Sequence, residues 1–280
     1  NDPQRAADLA GEIVDDAYTV GLVGPAGSGE AFAVGDQFSS AGLVTVTPSA
    51  TAPQLSARGW RTFFRGVASN AVQGPAAANY MSRTLGYRKV CVVDDSSDYG
   101  LGLASFVRET LGPMADPACN IAISEGDDDF AAVVPQITGA APDAVFFAGA
   151  APEAAPLIRQ LRDAGFQGAF VTVDGALADE FVEEAQAAAS GAVLSCPCAP
   201  APSQFADDYR DTFGQSPGPY AVEAYDLGTI LLNGIDSGAI TRPALLEYVD
   251  NYDGQGIARR YAWNADGELA KPSIWIYGVQ

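Results

Sequence analysis

The chain has 280 residues, of which 48% are hydrophobic, and its 35 acidic and 15 basic residues give a net charge of −20. This charge argues against binding to nucleic acid or anionic lipid, because phosphate recognition needs clustered lysine and arginine. The sequence contains no histidine, which removes the serine–histidine–aspartate triad and the most common metal ligand. No apolar run approaches the roughly 18 residues that span a bilayer, and none resembles a signal peptide. We therefore expect a soluble chain with no cofactor or metal, given without its export signal.

Short β-branched runs alternate with helical patterns over the first two thirds of the sequence. The runs cover residues 19–23, 43–47, 89–93, 120–124, 144–148, 169–173 and 192–195. The helical patterns cover residues 4–15, 71–84, 100–111, 129–138, 153–164 and 179–187. Near-continuous apolar runs are typical of strands buried on both faces, and alternating βα units predict parallel sheets covered by helices. Two weakly similar blocks, about 1–65 and 88–196, predict an α/β fold with two lobes.

The pattern changes after Pro200. Helical patterns cover residues 203–213, 219–237 and 242–248, and a β-rich segment with a turn at 264–267 covers residues 259–279. The order of elements is therefore βα units, then helices, then a β-rich tail.

Small and hydroxyl residues follow the second predicted strand. The strand stops at Pro48, and Ser49, Ala50 and Thr51 come next. The loop after the preceding strand, "GPAGSGE", is glycine-rich and carries Ser28. Small residues let a ligand reach backbone N–H groups, hydroxyls add donors, and a helix starting near residue 53 would add its positive end. These loops predict a site for an anion such as a carboxylate; ordinary strand-to-helix turns are the alternative.

The strand ends of the second block carry acidic groups instead. "VVDDSSDYG" places three aspartates and Tyr99 after one strand, and Asp174 with Gly175 follows another. Helix capping is the favoured interpretation for the three aspartates, whereas Asp174 stands several residues ahead of the next helix and is predicted to face a ligand. Donors for an anion in one lobe and an anion for a cation in the other predict a zwitterionic ligand such as an amino acid.

These features lead to a family resemblance over essentially the whole chain. It is carried jointly by "DPQRAADLAGEIV", "GLVGPAGSGEA", "GLVTVTPSATAPQLS", "FFRGVASNAVQGPAAANY", "VCVVDDSSDYGLGLA", "APDAVFFAGAAPEAAPLIRQLRDAGF", "VTVDG" and "PGPYAVEAYDLG". The chain resembles the Leu/Ile/Val-type branched-chain amino acid binding proteins of bacterial ABC importers. The resemblance implies the type I periplasmic-binding fold, with two doubly wound, Rossmann-like lobes joined by a three-segment hinge.

The resemblance also implies the roles of the predicted site residues. Ser28, Ser49, Ala50 and Thr51 match the positions that hold the ligand, a tyrosine of an "xYG" motif matches Tyr99, and an acidic residue that holds the ammonium group matches Asp174. The family more often has glutamate at that acidic position. A family aromatic near the cleft falls where this chain has two consecutive alanines, residues 150 and 151. We expect a pocket that is roomier or differently shaped than one for leucine.

The hinge crossings implied by the family fall near residues 65–68, 196–199 and 260–264. Lobe 1 is thus predicted to contain residues 1–66 and 199–260, and lobe 2 residues 67–198 and 261–280. In that family a βαβ unit precedes the segment that matches the start of this sequence. We therefore interpret the given sequence as a fragment of a longer mature chain, whose first lobe lacks this unit here.

Four cysteines, Cys91, Cys119, Cys196 and Cys198, are predicted to form disulfides. The C-x-C spacing of the last two lacks the second knuckle of a zinc site, and an exported protein favours oxidised pairs. Cys91–Cys119 is one candidate because both residues start βα units, and Cys196–Cys198 is another despite its strained spacing. Free buried thiols are the alternative.

The function that the resemblance implies is capture of an amino acid or a similar small zwitterion or carboxylate between two lobes, for delivery to ABC permease subunits in the membrane. We expect a monomer without enzymatic activity, in the periplasm or outside the cell, either free or lipid-anchored to the outer face of the cell membrane. A sensor domain of the same fold that binds an amide or aromatic acid is the second hypothesis. An enzyme is the third, although no nucleophile with a paired acid and base emerges from the sequence.

Overall fold

The computed structural model describes residues 2–280, and it divides into two compact units. Unit 1 contains the chain up to Ser69 together with Pro197–Ser273, and unit 2 contains Asn70–Cys196 and Ile274–Gln280. Asn1, the first residue of the predicted lobe 1, lies outside the described residues. The two units differ from the predicted lobes chiefly in residues 261–273, which belong to unit 1 instead of lobe 2.

Helices and strands alternate through most of the chain. The helices are α1 (Pro3–Asp15), α2 (Ser28–Ser40), α3 (Gln54–Ala57), α4 (Asn70–Asn79), α5 (Asp98–Leu111), α6 (Val134–Ala140), α7 (Ala151–Asp163), α8 (Asp179–Ala185), α9 (Ser203–Phe213), α10 (Ala221–Asp236) and α11 (Arg242–Asp250). The strands are β1 (Gly21–Val23), β2 (Val44–Thr47), β3 (Phe63–Arg65), β4 (Val90–Asp94), β5 (Ala115–Ala122), β6 (Ala144–Ala148), β7 (Ala169–Val173), β8 (Val193–Cys196), β9 (Asp253–Gln255), β10 (Arg260–Ala262) and β11 (Trp275–Gly278).

Unit 1 is built on a three-stranded parallel sheet in the order β1-β2-β3. Every residue of β2 is buried, as its continuous β-branched run predicts. Val46 packs with Leu227 and Ile230 of α10 and with Leu245 of α11, so α10 and α11 cover one face of this sheet. The parallel order brings the loops after β1 and β2 to the same edge of the sheet.

Residues 261–273 belong to unit 1 because they bind directly to β3. The backbone N–H of Arg65 donates to the carbonyl of Gly267 at 2.8 Å, and Trp263 Nε1 donates to the carbonyl of Arg65 at 2.6 Å. The Trp263 ring also meets Phe64 edge to face at 5.5 Å. These contacts cover β3 where another strand would pair, and they place the change of unit at Ser273.

Unit 2 contains a six-stranded sheet in the order β11-β8-β7-β6-β4-β5, parallel except for the antiparallel pair β11–β8. Successive residues of β6 enter opposite cores: Val145 and Phe147 pack on one face, and Phe146 and Ala148 pack on the other. Parallel strands buried on both faces between helices are the architecture that the apolar runs predicted. Gly165, a residue type that commonly ends helices, follows α7 with a φ of +85°.

The disulfide prediction is confirmed. Cys91 and Cys119 are bonded across the neighbouring strands β4 and β5, with their Cα atoms 5.1 Å apart, inside the range that a disulfide needs. Cys196 and Cys198 are disulfide-bonded as well, so no free cysteine occurs in the described part of the chain. Among residues 2–280, no helix combines the length and apolar character that crossing a membrane requires.

Candidate functional site

The two polar loops of unit 1 are joined by hydrogen bonds at the sheet edge. Thr47, the last residue of β2, donates its hydroxyl to the carbonyl of Pro25 at 2.6 Å and accepts from the N–H of Ala50 at 2.9 Å. Ser49 Oγ donates to the carbonyl of Ala26 at 2.9 Å. The parallel pairing of β1 with β2 makes this contact possible, and Thr47 is a positioning residue that the sequence analysis did not identify.

Ser28 lies at the start of α2 and faces the same loop. Its side-chain oxygen accepts from the N–H of Ala52 at 3.2 Å and keeps its own hydrogen for another acceptor. The positive helix end at this place belongs to α2, which has 13 residues. The sequence predicts that a helix starting near residue 53 supplies it, but α3 has only four residues and contributes little. The four predicted residues of unit 1 therefore lie together, next to a different helix.

Thr51 is the most informative residue of this cluster, which we call the loop cluster (Ser28, Ser49, Ala50 and Thr51). Its side chain is fully buried, and its Oγ1 has no hydrogen-bond partner among the described residues. A buried polar atom without a partner costs about 1–3 kcal/mol, so such atoms are rare unless something else satisfies them. The cluster holds hydroxyl and backbone donors and no charged side chain, which is suited to an anionic group that has lost its water.

Asp174 and Tyr99 meet in unit 2, where we call them, together with Gln73, the aspartate cluster. Asp174 follows β7, is 8% exposed, and its Oδ1 accepts from the Tyr99 hydroxyl at 2.8 Å. Desolvation, followed by the nearby Asp174 carboxylate, raises the pKa of Tyr99 well above its ordinary value, so the phenol stays a neutral donor. Position 175, next to Asp174, requires glycine, because a Cβ there would lie 2.4 Å from the carbonyl oxygen of Gly149.

Asp174 does not occupy the N-cap position of α8. The residue before α8 is Ala178, whose side chain cannot cap, and the Asp174 side chain binds within the cluster instead. The three aspartates of "VVDDSSDYG" are also not caps, because Ser97 caps α5 by accepting from the N–H of Gly100. Asp94 instead pairs with Arg108 at 2.6 Å, and Asp95 accepts two bonds from Ser97.

Gln73 is a member of the aspartate cluster that the sequence analysis missed. It is fully buried on α4, and its Nε2 donates to Asp174 Oδ1 at 2.6 Å and to the carbonyl of Ser195 at 3.0 Å. Its neighbour one turn earlier, Asn70, donates to the carbonyl of Tyr99 at 3.2 Å. Both amide oxygens are buried without a partner in the described structure. The i,i+3 spacing of two polar residues on an otherwise small-residue helix was the available signal.

Two alanines follow β6 at the position where the family resemblance implies an aromatic residue. Ala150 precedes α7 and Ala151 is its first residue, and Ala151 is buried. Two methyl groups therefore stand where the family resemblance implies a ring. No group of three or more cysteine, aspartate or glutamate side chains in residues 2–280 could hold a metal ion.

A family comparison identifies the architecture. The profile of the family described as "Periplasmic binding protein" matches residues 1–280. The chain belongs to this family. Membership confirms the type I periplasmic-binding fold and implies a location in the periplasm or outside the cell.

Individual relatives agree with this assignment. The chain is 26% identical over 283 residues to an amino acid binding protein of Pseudomonas aeruginosa, covering 99% of this chain and 76% of that protein. It is 29% identical over 284 residues to the Leu/Ile/Val-binding protein BraC3 of Rhizobium johnstonii, covering 99% and 77%. Among solved structures, the branched-chain amino acid transporter substrate-binding protein LivJ of Streptococcus pneumoniae, in complex with isoleucine, superposes with a TM-score of 0.91 at 26% identity, covering 100% and 81%.

Proposed function

We propose that this protein is the solute-binding component of an ABC importer and that its ligand is an amino acid or a similar small zwitterion. The observation that carries the proposal is the chemical contrast between the two clusters. The loop cluster offers neutral donors, including the unpartnered Thr51 hydroxyl, and the aspartate cluster offers a buried carboxylate. The relatives named for amino acid binding support it.

The loop cluster is proposed to bind the ligand carboxylate. Hydrogen bonds from neutral donors to an ionised acceptor are stronger than those between neutral groups, and a desolvated carboxylate needs several of them. The hydroxyls of Ser28 and Thr51 supply two candidates, and the backbone N–H of Thr51 supplies a third. Ser49 already donates to Ala26 at 2.9 Å, so its role is to hold the loop in place.

The aspartate cluster is proposed to bind the ligand ammonium group. Asp174 carries the only charge of the cluster, and Tyr99 and Gln73 fix its Oδ1 by bonds of 2.8 and 2.6 Å. Two donors on one oxygen hold the carboxylate in a single orientation, so its negative charge is directed without rearrangement. The side chain is one methylene shorter than the glutamate of the family pattern, which leaves room for a ligand whose amine lies further out.

The two alanines after β6 are proposed to determine which amino acid binds. Ala150 and Ala151 remove a ring from a position that the family resemblance places near the ligand, so a bulkier apolar side chain fits. We therefore propose that L-phenylalanine binds at least as tightly as L-isoleucine.

A thermal-shift screen with the common amino acids tests the ligand class, because a ligand that binds only the folded state raises the melting temperature. Calorimetry on Thr51→Val then tests the loop cluster. The swap is nearly isosteric, and we expect affinity to fall by about 1–3 kcal/mol, or roughly 5- to 150-fold. The ligand-free protein should melt at the same temperature or higher, because the variant loses an unpartnered buried hydroxyl.

Thr45→Val is the matched control, because Thr45 is a buried hydroxyl residue in β2, the strand that leads into the same loop, and its Oγ1 bonds to the carbonyl of Thr62 at 3.3 Å. Unchanged affinity is expected for it. Equal affinity of Thr51→Val and the wild type would refute the assignment of the carboxylate site.

The remaining parts of the proposal concern how the protein acts. We propose that it acts as a monomer, delivers its ligand to membrane permease subunits and leaves the ligand chemically unchanged. Light scattering in the presence and absence of ligand tests the first point, and mass spectrometry of ligand recovered after long incubation tests the last. Reconstituted uptake that requires both this protein and its permease tests the delivery.

A further inference from the structure

Arg65 occupies an unusual position behind the loop cluster. It is the last residue of β3, and its side chain is fully buried. The guanidinium donates through Nη1 to the carbonyl of Ala50 and through Nη2 to the carbonyl of Ala52 at 2.9 Å. It therefore binds two alternate carbonyls of the loop, one on each side of Thr51.

These two contacts determine where the ligand-facing groups of the loop point. The carbonyl of Ala50 and the N–H of Thr51 belong to one planar trans peptide, in which they point in opposite directions. Because Arg65 draws the carbonyl toward itself, the N–H of Thr51 is directed away from the guanidinium. Hydrogen bonding to the carbonyl also polarises the peptide, which makes this N–H a stronger donor.

Glu268 holds the guanidinium in this place. Its carboxylate accepts from Arg65 Nε and Nη2 at 3.0–3.2 Å, and its Oε1 also accepts from Ser56 Oγ at 2.6 Å. The Arg65–Glu268 pair has a net charge close to zero, so it affects an anion at the loop by orienting the loop backbone more than by direct attraction. Gly267 reinforces it, since its carbonyl accepts from the N–H of Arg65 at 2.8 Å.

We propose that Arg65, oriented by Glu268, is a positioning residue for ligand binding: it sets the direction of the Thr51 donors without touching the ligand. This inference rests on the proposed function, because it assigns a role toward the carboxylate that the loop cluster is proposed to bind. An ion pair that only stabilises unit 1 is the competing explanation, and it predicts loss of stability without a specific loss of affinity.

The first test is the variant Arg65→Lys, which keeps the charge but replaces the planar fork that reaches both carbonyls and Glu268 by a single compact ammonium group. The probe is L-isoleucine, or L-phenylalanine if that binds more tightly. We expect affinity to fall at least tenfold in a protein that still unfolds cooperatively. Arg58→Lys is the matched control, because Arg58 is an exposed arginine of the same unit that pairs with Asp36 at 3.2 Å, and it should bind like the wild type. If Arg65→Lys does not fold, Glu268→Gln replaces it as the test, because the amide oxygen still accepts from the guanidinium. A three- to tenfold loss of affinity is expected for this variant.

A double-mutant cycle separates positioning from stability. The two carbonyls that Arg65 holds flank Thr51, so they fix the direction of its hydroxyl as well as of its N–H. Arg65→Lys should therefore cost less affinity in the Thr51→Val background, which has already lost the hydroxyl, than in the wild type. Hydrogen exchange of residues 49–52 in the ligand-free variant should quicken, while that of β2 stays the same. Affinity of Arg65→Lys or Glu268→Gln within twofold of the wild type, or losses that multiply independently, would overturn the inference. If the wild type binds none of the amino acids, the proposed function is refuted instead. The rate of hydrogen exchange at residues 49–52 would then decide by itself whether Arg65 orders this loop.

Discussion

Replacement of Asp174 by asparagine separates ligand recognition from folding. The Asp174→Asn variant keeps the side-chain shape and an oxygen that accepts from the Tyr99 hydroxyl and from Gln73, the two bonds of 2.8 and 2.6 Å that define the cluster. The negative charge is the one property that is lost. If this charge pairs with a ligand ammonium group, the variant should fold normally and bind poorly.

The magnitude follows from the burial of the carboxylate, which is 8% exposed. Truncating one partner of a desolvated charge pair costs about 2–5 kcal/mol, which corresponds to roughly 30- to 5,000-fold in affinity. The ligand-free protein should be as stable as the wild type or more so, because burying a charged carboxylate costs more free energy than burying a neutral amide. Affinity and stability should therefore move in different directions.

Calorimetry with two ligands provides the assay. L-Isoleucine carries the ammonium group, and the matching 2-hydroxy acid lacks it, so the loss for the hydroxy acid should be much smaller than the loss for the amino acid. The difference between the two losses is the coupling energy between Asp174 and the amine. Asp179→Asn, an exposed aspartate of α8, is the matched control and should leave both affinities unchanged. Equal losses for the two ligands would mean that Asp174 only supports the structure.

Three further predictions concern stability. The unreduced, unfolded protein should contain no titratable thiol. Replacing both Cys91 and Cys119 by serine should lower the free energy of unfolding by about 3–4 kcal/mol, because the disulfide closes a loop with a sequence separation of 28 residues. An unchanged urea midpoint would contradict this prediction. Glu223→Gln should destabilise by about 3–5 kcal/mol, because it leaves the buried Arg259 guanidinium without its carboxylate, and a melting temperature equal to that of the wild type would show that the pair is unimportant. Burial raises the pKa of Asp95 in the folded protein above its ordinary 3.8. At a pH between the pKa of the unfolded state and that of the folded state, the folded protein holds a proton that the unfolded chain has lost. The free energy of unfolding should therefore fall as the pH rises through this range and level off above it. Asp95→Asn should remove this part of the slope in urea titrations between about pH 4 and 7, and a slope that persists in the variant would assign it to another group.

The strands of unit 2 could be predicted closely from the sequence. The runs predicted as strands over residues 144–148 and 169–173 coincide with β6 and β7. A strand that is buried on both faces has a continuous apolar sequence, so its ends can be located from the sequence. The helix predicted over residues 129–138 begins only at Val134. In the segment before it, the N–H of Phe130 donates to Gln160 Oε1 at 2.8 Å, a contact with α7 that no local pattern reveals.

The sequence predicts that the residues of the loop cluster lie together, but it does not predict the side chains that hold the two clusters in place. Ser28 and Thr51 come together because neighbouring parallel strands deliver their following loops to one edge, which is a rule of topology. Gln73 and Asp174 are 101 positions apart, and Arg65 and Glu268 are 203 apart, so neither pair leaves a periodic signal. The same long-range contacts attach residues 261–273 to unit 1.

The charge of the whole chain bears on which ligand this acidic protein accepts. With a net charge of −20, the protein repels an anion at distances where salt does not fully screen it, within about 8 Å at physiological ionic strength. A zwitterion carries no net charge, so it approaches without this cost and makes the contacts proposed for its two charged groups once it is bound. A simple carboxylic acid would meet the repulsion and would bring no ammonium group to the buried Asp174 carboxylate, so it would forgo the contact proposed for that cluster. The charge balance of the whole chain and the buried aspartate therefore favour an amino acid over an aromatic or aliphatic acid as the ligand.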